Sequence, residues 1–215
     1  MNKSKKYLIA AVTFLVIAVI YTLLVAKVDV RPIGPEGSEV GFSTINEMVH
    51  NYIGVHMSFY DLTNVLGYFS LLGVVTFVVI GAKETAKKDL NKRLIPLGIF
   101  YVALGLVYLL FEIVIINKRP VLIDGLLEAS YPSSHTMLGL GVCLSFSILI
   151  KYFVKNPTTA KALKFLAIVL GCAIVFGRII SGVHWATDII GGLIIVTSLL
   201  FFLASGVSKI DEKEE

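Results

Sequence analysis

Apolar residues in this chain fall into six long runs, at 7–26, 59–82, 94–116, 135–154, 162–180 and 185–206, each close to the roughly 20 residues that cross the hydrocarbon layer of a bilayer. Inside these runs the apolar positions are continuous instead of alternating, and the runs are too long and unbroken to be strands of a membrane barrel. Lipid offers no partner to an open backbone N–H or C=O, so the predicted elements are helices. The expected fold class is therefore an all-α integral membrane protein, a single domain over residues 1–215 with six transmembrane helices. Between the first two runs lies a polar segment, 27–58. Its Arg31-Pro-Ile-Gly-Pro-Glu-Gly37 stretch reads as turns, and Phe42, Ile45, Val49, Tyr52, Ile53 and His56 then recur at helical intervals behind the capping-box spacing of Thr44 and Glu47. This predicts a short amphipathic helix on the outer membrane face, carrying His50 and His56 as interfacial polar residues and acting as a packing strut or as a lid over a lipid-access site. Ser58 and Asp61 repeat the capping spacing at the second span, Pro120 closes the third, an outer loop follows at 121–131, and Pro132-Ser133-Ser134-His135 starts the fourth.

Composition agrees with this pattern: 56% of the 215 residues are hydrophobic and the mean hydropathy is +0.85. Lys3, Lys5 and Lys6 before the first run resemble the start of a signal peptide. The apolar stretch is longer than a signal core and no small-x-small cleavage site follows, so it is read as an uncleaved anchor. Placing the N-terminus inside puts most of the 19 basic residues on the cytoplasmic side, leaving only Lys27, Arg31, Lys118, Arg119 and Arg178 outside. Both termini are then cytoplasmic, the protein is a multi-pass protein of the cytoplasmic membrane, and the net charge of +4 reflects topology and not nucleic-acid binding. Cys143 and Cys172 fall within spans and are read as free thiols. Gly139, Gly141, Gly171, Gly177, Gly191 and Gly192 in the last three spans suit close helix approach.

The candidate chemistry is concentrated at Arg178-Ile-Ile-Ser-Gly-Val-His184-Trp-Ala-Thr-Asp188. If His184 opens a helix, Asp188 lies one turn on, where its carboxylate can take a proton from one imidazole nitrogen and leave the other as a base or nucleophile. Hydropathy and loop charge bring Arg119, His135, Arg178 and His184 with Asp188 to span ends on the same membrane face. The arginines supply fork-shaped charge for a phosphate, and the helix start at Ser133, Ser134 and His135 adds N–H donors. His184 can attack phosphorus while His135, with no carboxylate nearby in sequence, protonates the leaving oxygen. These are the parts of metal-free phosphoryl transfer through a phosphohistidine.

The arrangement resembles the type 2 phosphatidic acid phosphatase (PAP2) superfamily of membrane lipid phosphate phosphatases. That family's pattern is Lys-x6-Arg-Pro, then Pro-Ser-Gly-His, then Ser-Arg-x5-His-x3-Asp. Here the three segments read Glu112-x6-Arg119-Pro120, Pro132-Ser133-Ser134-His135 and Gly177-Arg178-x5-His184-x3-Asp188. The resemblance implies that Arg119, Arg178, Ser133 and Ser134 bind phosphate, that His184 is the nucleophile and His135 the general acid, and that Asp188 orients His184. It implies no metal and no cofactor. Ser134 stands where the family has Gly, Gly177 where it has Ser, and Glu112 where it has Lys. Seven residues make nearly two helical turns, which brings Glu112 round to the same face as Arg119 and into the site; Lys118 is the candidate to restore the missing positive charge, although it points roughly 100° away around a helix. Three readings are open for Glu112: an ion pair with Arg119 or Arg178, a changed substrate head group, and weakened hydrolysis.

The resemblance thus predicts hydrolysis of a lipid phosphomonoester or diphosphate, drawn laterally from the bilayer to an extracytoplasmic site. Polyprenyl diphosphate, phosphatidylglycerol phosphate and phosphatidic acid are the candidates. Rival readings are a lipid phosphotransferase, a catalytically silent lipid-phosphate binder or transporter, and a metal site made of His135, His184 and Asp188. The sequence does not specify an oligomeric state.

Overall fold

A computed structural model of the chain describes residues 1–214. Helix α1 (Lys3–Lys27) leads through a turn region to the short α2 (Ser43–Ile53), and α3 (Met57–Ala86) and α4 (Leu94–Ile113) follow. A hairpin then connects to a π-helical turn, His135–Gly139, which continues into α5 (Leu140–Leu149) and a closing 3-10 turn, Ile150–Tyr152. The chain ends with α6 (Pro157–Ser181) and α7 (Ala186–Glu214). Six of these segments, including the composite His135–Tyr152, are long and apolar enough to cross a membrane, and among the described residues there is no β-strand.

The two ends of the bundle differ in character. At one end Asn2 and the Ser4 amide bond Glu212, Arg93 pairs with Asp211 at 2.7 Å and with Glu214 at 2.5 Å, and Tyr152 donates to Asp211 at 2.6 Å. Both chain termini and the α3–α4 and α5–α6 connections therefore meet there. At the other end α7 begins, and Tyr21 of α1, Asn46 of α2, and Asn117 and Ser130 of the hairpin all bond its first turn. Between the ends the packed interior is apolar. Phe77, Leu97, Phe100, Leu104, Met137, Val196 and Leu203 form its centre, while side chains such as Leu72, Leu106 and Phe165 point outward as expected of a lipid-facing surface.

The amphipathic helix forms, but by different means from those its sequence predicts. Thr44 and Glu47 make no capping box; Phe42 occupies the cap position and the Thr44 amide bonds the Asp29 carboxylate at 2.7 Å. Its polar face docks on α7, where Asn46 and Thr187 exchange two hydrogen bonds of 2.9 and 3.2 Å and the His50 ring tilts against Trp185. Ile45, Met48 and Tyr52 face outward. None of its residues lines the cavity described below, so α2 braces α7 instead of covering the site. His56 lies beyond the helix as the cap of α3, and the Ser58–Asp61 spacing forms no side-chain cap.

Gly182 makes the corner between α6 and the His184 segment. It sits in the left-handed region at φ 65°, and a Cβ there would come within 1.9 Å of the Gly54 carbonyl oxygen. Gly191 has a related role, since its bare backbone lets the Tyr131 ring lie against α7. Gly182→Ala is expected to lower the thermal unfolding temperature in detergent by more than Gly37→Ala, because both incur the left-handed backbone cost of about 1 kcal/mol but Gly37 has open space around it. Equal shifts in the two variants would contradict the packing account.

Candidate active site

The local chemistry of residues 114–134 departs from the expected third span. Helix α4 ends at Ile113, and Lys118 and Ala129 then pair across a β-bridge closed by the two-residue turn Asp124-Gly125, with both residues at positive φ. Asp-Gly between apolar residues is a strong hairpin signal, because both turn positions accept the left-handed conformation that a tight hairpin needs. The register is set by Arg119 N–H donating to the Glu128 carbonyl at 3.1 Å and Ser130 N–H to the Asn117 carbonyl at 2.9 Å. Arg119 is thus on a hairpin, and the helical argument placing Glu112 on its face does not hold. Glu112 nevertheless lines the same cavity from the last turn of α4.

That cavity measures about 390 Å³ and is bounded by Tyr60, Tyr108, Phe111, Glu112, Arg119, Glu128, Ser130, Ser134, His135 and His184, among others. Four of the residues expected from sequence, Arg119, Ser134, His135 and His184, therefore share one wall system. Ser133 and Arg178 lie behind it. The Ser133 hydroxyl instead faces the Thr136 amide at 3.4 Å in the first turn of the fourth span, which is a π turn and not the expected α start. Arg178 is fully buried (0% exposed). One guanidinium nitrogen donates to Asn64 and the group lies 4.8 Å from the centre of the Tyr60 ring, while Nε and Nη1 have no hydrogen-bond partner in the protein. Lys118 uses its backbone carbonyl to hold the Trp185 indole N–H at 2.7 Å and is not part of the cavity wall.

Helix α7 starts at Ala186, so His184 precedes it. Asp188 reaches back from the third helical position to the Trp185 N–H at 2.9 Å, which is one half of a capping box, at the positive end of the helix dipole. The expected direct His184–Asp188 hydrogen bond is replaced by a longer route. Their closest atoms are 3.8 Å apart, and Ser130 Oγ fills the gap, 3.0 Å from His184 Nδ1 and 2.5 Å from Asp188 Oδ2. A carboxylate only accepts, so the Ser130 hydroxyl donates to Asp188 and its lone pair accepts the proton on Nδ1. Nε2 is then the free lone pair. It lies 3.2 Å from Arg119 Nη1, a group that can only donate. Asn117 holds the other Asp188 oxygen at 3.1 Å.

Charge around the imidazole favours its neutral form. Burial pushes the His184 pKa well below the usual 6.5, and the Arg119 and Arg178 guanidinium groups push it further. Arg119 is itself held by Glu128, whose Oε2 is 2.9 Å from Nε in an ion pair too poorly aligned to count as a hydrogen bond. This answers one of the sequence questions: the carboxylate paired with Arg119 is Glu128, and neither arginine forms an ion pair with Glu112 among the described residues. On the opposite wall His135 Nδ1 is buried without a partner, and its ring lies close enough to Gly67 that a Cβ there would be 3.1 Å away. Gly177 stands against Thr63, whose methyl would be 2.3 Å from an added Cβ, so α3 occupies the space of any larger residue. The set His135, His184 and Asp188 does not form a metal-holding cluster among the described residues, since the Asp188 oxygens are directed to Ser130, Trp185 and Asn117.

Residues that sequence reasoning passed over are Ser130, Asn117, Glu128 and Asn64. The Asp124-Gly125 turn signals a hairpin over this segment, but simple pairing outward from Ile123 and Leu126 would set Ser130 opposite Arg119; the observed Lys118–Ala129 bridge is shifted by two residues, and that shift, which puts Ser130 next to Asn117 and Glu128 next to Arg119, has no local signal, nor has Asn64.

The depressed His184 pKa has a sign that can be tested. The unfolded chain takes up a proton near pH 6.5 that the folded protein refuses, so stability is full above that pH and falls below it. Thermal unfolding in detergent from pH 8 to pH 5 should show this decline, with a shallower slope in His184→Gln; an unchanged slope would assign the decline to other groups.

Comparison with known proteins places these features in context. The sequence matches the PAP2 superfamily over residues 78–211. The crystal structure of the first transmembrane PAP2 type phosphatidylglycerolphosphate phosphatase from Bacillus subtilis has the same fold, with a TM-score of 0.64 at 20% sequence identity over 96% of this chain and 98% of that one. No curated protein matches by sequence.

Proposed function

From the premise that this chain belongs to the PAP2 superfamily, we propose that it hydrolyses a lipid phosphomonoester or diphosphate through a phosphohistidine on His184. The observation that carries this reading is His184 on a cavity wall shared with Arg119 and His135, with its Nε2 facing the donor-only Arg119 guanidinium and its Nδ1 facing Ser130. A phosphate in the cavity offers Arg119 a better acceptor than the imidazole, so substrate binding draws the guanidinium from Nε2 and frees the nucleophile. Arg178 adds positive charge from behind the wall, and the Ser134 segment completes the phosphate contacts. Attack forms the N–P bond as the P–O bond to the lipid breaks, with His135 giving the leaving oxygen its proton. Water, activated by His135, then displaces His184 from phosphorus and returns Nε2 to its starting state.

The lipid character of the substrate follows from the setting. The cavity lies among membrane-spanning helices, and a second space lined by Asn64, Tyr68, Leu71, Tyr108, Ser134, His135 and Leu138 adjoins it, giving an acyl or prenyl chain a route toward the bilayer. The Lys and Arg distribution supports termini inside the cell and a site on the extracytoplasmic side of the cytoplasmic membrane. The residues present supply nucleophile, acid and anion binding without a metal or cofactor.

The decisive assay follows phosphate release from polyprenyl diphosphate, phosphatidylglycerol phosphate and phosphatidic acid, with and without chelator. His184→Ala should lose release by at least roughly a thousandfold and retain no labelled phosphate after brief exposure to substrate, while remaining folded. Wild-type binding without label or release would point to a silent binder, and transfer to a second lipid would point to a phosphotransferase. Glu112 places a carboxylate on the phosphate cavity, where repulsion weakens anion affinity. Glu112→Lys is expected to bind vanadate several-fold more tightly, as measured by inhibition of release; weaker binding by a folded variant would mean that the acid assists substrate binding.

A further inference from the structure

We propose that Ser130 is the positioning residue that couples Asp188 to His184, fixing the imidazole in the tautomer that phosphoryl transfer needs. The inference rests on the phosphohistidine reading above. It begins with a distance: Asp188 Oδ2 and His184 Nδ1 are 3.8 Å apart, beyond hydrogen-bond range, and the Ser130 hydroxyl sits between them at 2.5 and 3.0 Å. All three side chains are buried, with Ser130 2% exposed, Asp188 0% and His184 5%, and the Ser130 hydroxyl is the group that meets both Nδ1 and the carboxylate.

The direction of the chain Nδ1–H to Ser130 to Asp188 follows from the acceptor-only carboxylate at one end. As the N–P bond forms, the imidazole gains positive charge while keeping its Nδ1 proton. The Ser130 oxygen faces that proton, and its own O–H remains on the Asp188 carboxylate, so the developing charge is stabilised through the hydroxyl without net transfer of a proton to Asp188. When water breaks the N–P bond, Nε2 recovers its electron pair and the same hydrogen bonds are restored. Ser130 touches no reacting atom in this account; it acts through His184.

The structure also says why Ser130 can be removed without dismantling the site. Asp188 keeps its bonds to the Trp185 amide at 2.9 Å and to Asn117 at 3.1 Å, and the backbone of Ser130 still closes the hairpin on the Asn117 carbonyl at 2.9 Å. What is lost in Ser130→Ala is the one acceptor for Nδ1–H. Only the Arg119 donor at Nε2 then still favours the Nδ1–H form, and when a phosphate draws that guanidinium away nothing holds the proton on Nδ1, so the Nε2–H form, which has no lone pair for phosphorus, gains population.

The test combines rates with a spectroscopic readout on the full-length protein in detergent. With a phosphatidylglycerol phosphate or polyprenyl diphosphate substrate, Ser130→Ala should lower kcat by roughly ten- to a thousandfold with KM little changed, and Ser130→Thr, which keeps the hydroxyl, should recover most of the rate. In 15N-histidine spectra recorded with inorganic phosphate present, with His184 identified by its loss in His184→Gln, the wild type should carry its proton on Nδ1 and Ser130→Ala should populate the Nε2–H form. Unchanged kcat and tautomer in a folded Ser130→Ala protein, with His184 closing directly onto Asp188, would overturn the proposal. So would a fall in thermal stability with no change in tautomer, the mark of a purely structural serine. Should the wild type release no phosphate from either lipid, the phosphatase reading fails separately, and the tautomer comparison still decides whether Ser130 sets the imidazole.

Discussion

One carboxylate is buried among the described residues, Asp188, and it holds the cavity end of the molecule together. Taking such a charge out of water is costly unless every lone pair finds a donor, and here the donors come from separate parts of the chain. Trp185 supplies a backbone N–H, Asn117 an amide and Ser130 a hydroxyl. Satisfying Asp188 therefore requires the α4–α5 hairpin to lie against the start of α7. Asn117 extends the tie by accepting the Gly41 N–H, and Asn46 of α2 meets Thr187 beside it. Order in the site and attachment of the outer segment have one cause.

Placement of the cations follows a related logic. Arg178 is buried deeper than a side chain merely snorkelling to an interface would be, with only Asn64 and the Tyr60 ring as its contacts for charge. Two of its guanidinium nitrogens have no hydrogen-bond partner, and leaving buried donors unpaired is costly. Arg119 is in a different position, since it already has Glu128 and the His184 lone pair. The two arginines therefore differ in setting: Arg178 is buried behind the cavity wall, while Arg119 lines the cavity with both of its partners in place.

The three departures from the family pattern have unequal structural weight. Gly177 is explained by Thr63, which fills the space where a serine side chain would project. Ser134 remains on the cavity wall and keeps a backbone N–H. Glu112 changes the electrostatics, because it adds negative charge to a wall that also carries Glu128. The acid at 128 has a cation to balance it and the acid at 112 has no ion-pair partner among the described residues.

Continuous apolar runs were enough to determine the number and kind of spanning elements, because a bilayer forces every backbone group in them to bond locally. Residue types and spacing at Arg119, His135, Arg178, His184 and Asp188 were likewise enough to identify the family, and the spacing from His184 to Asp188 brought both to the start of one helix. The sequence reading went wrong where contacts cross between segments. Extending α4 to Arg119 ignored the Asp124-Gly125 turn, and assuming contact between residues four apart hid the serine inserted from the hairpin, 54 residues away in sequence. Local periodicity sets which face of a helix a residue occupies, but not which hydroxyl or amide arrives from elsewhere to meet it. Only the packing of α7 against the hairpin decided that Ser130 stands between imidazole and carboxylate, that Glu128 pairs with Arg119, and that Ser133 and Arg178 sit behind the cavity wall.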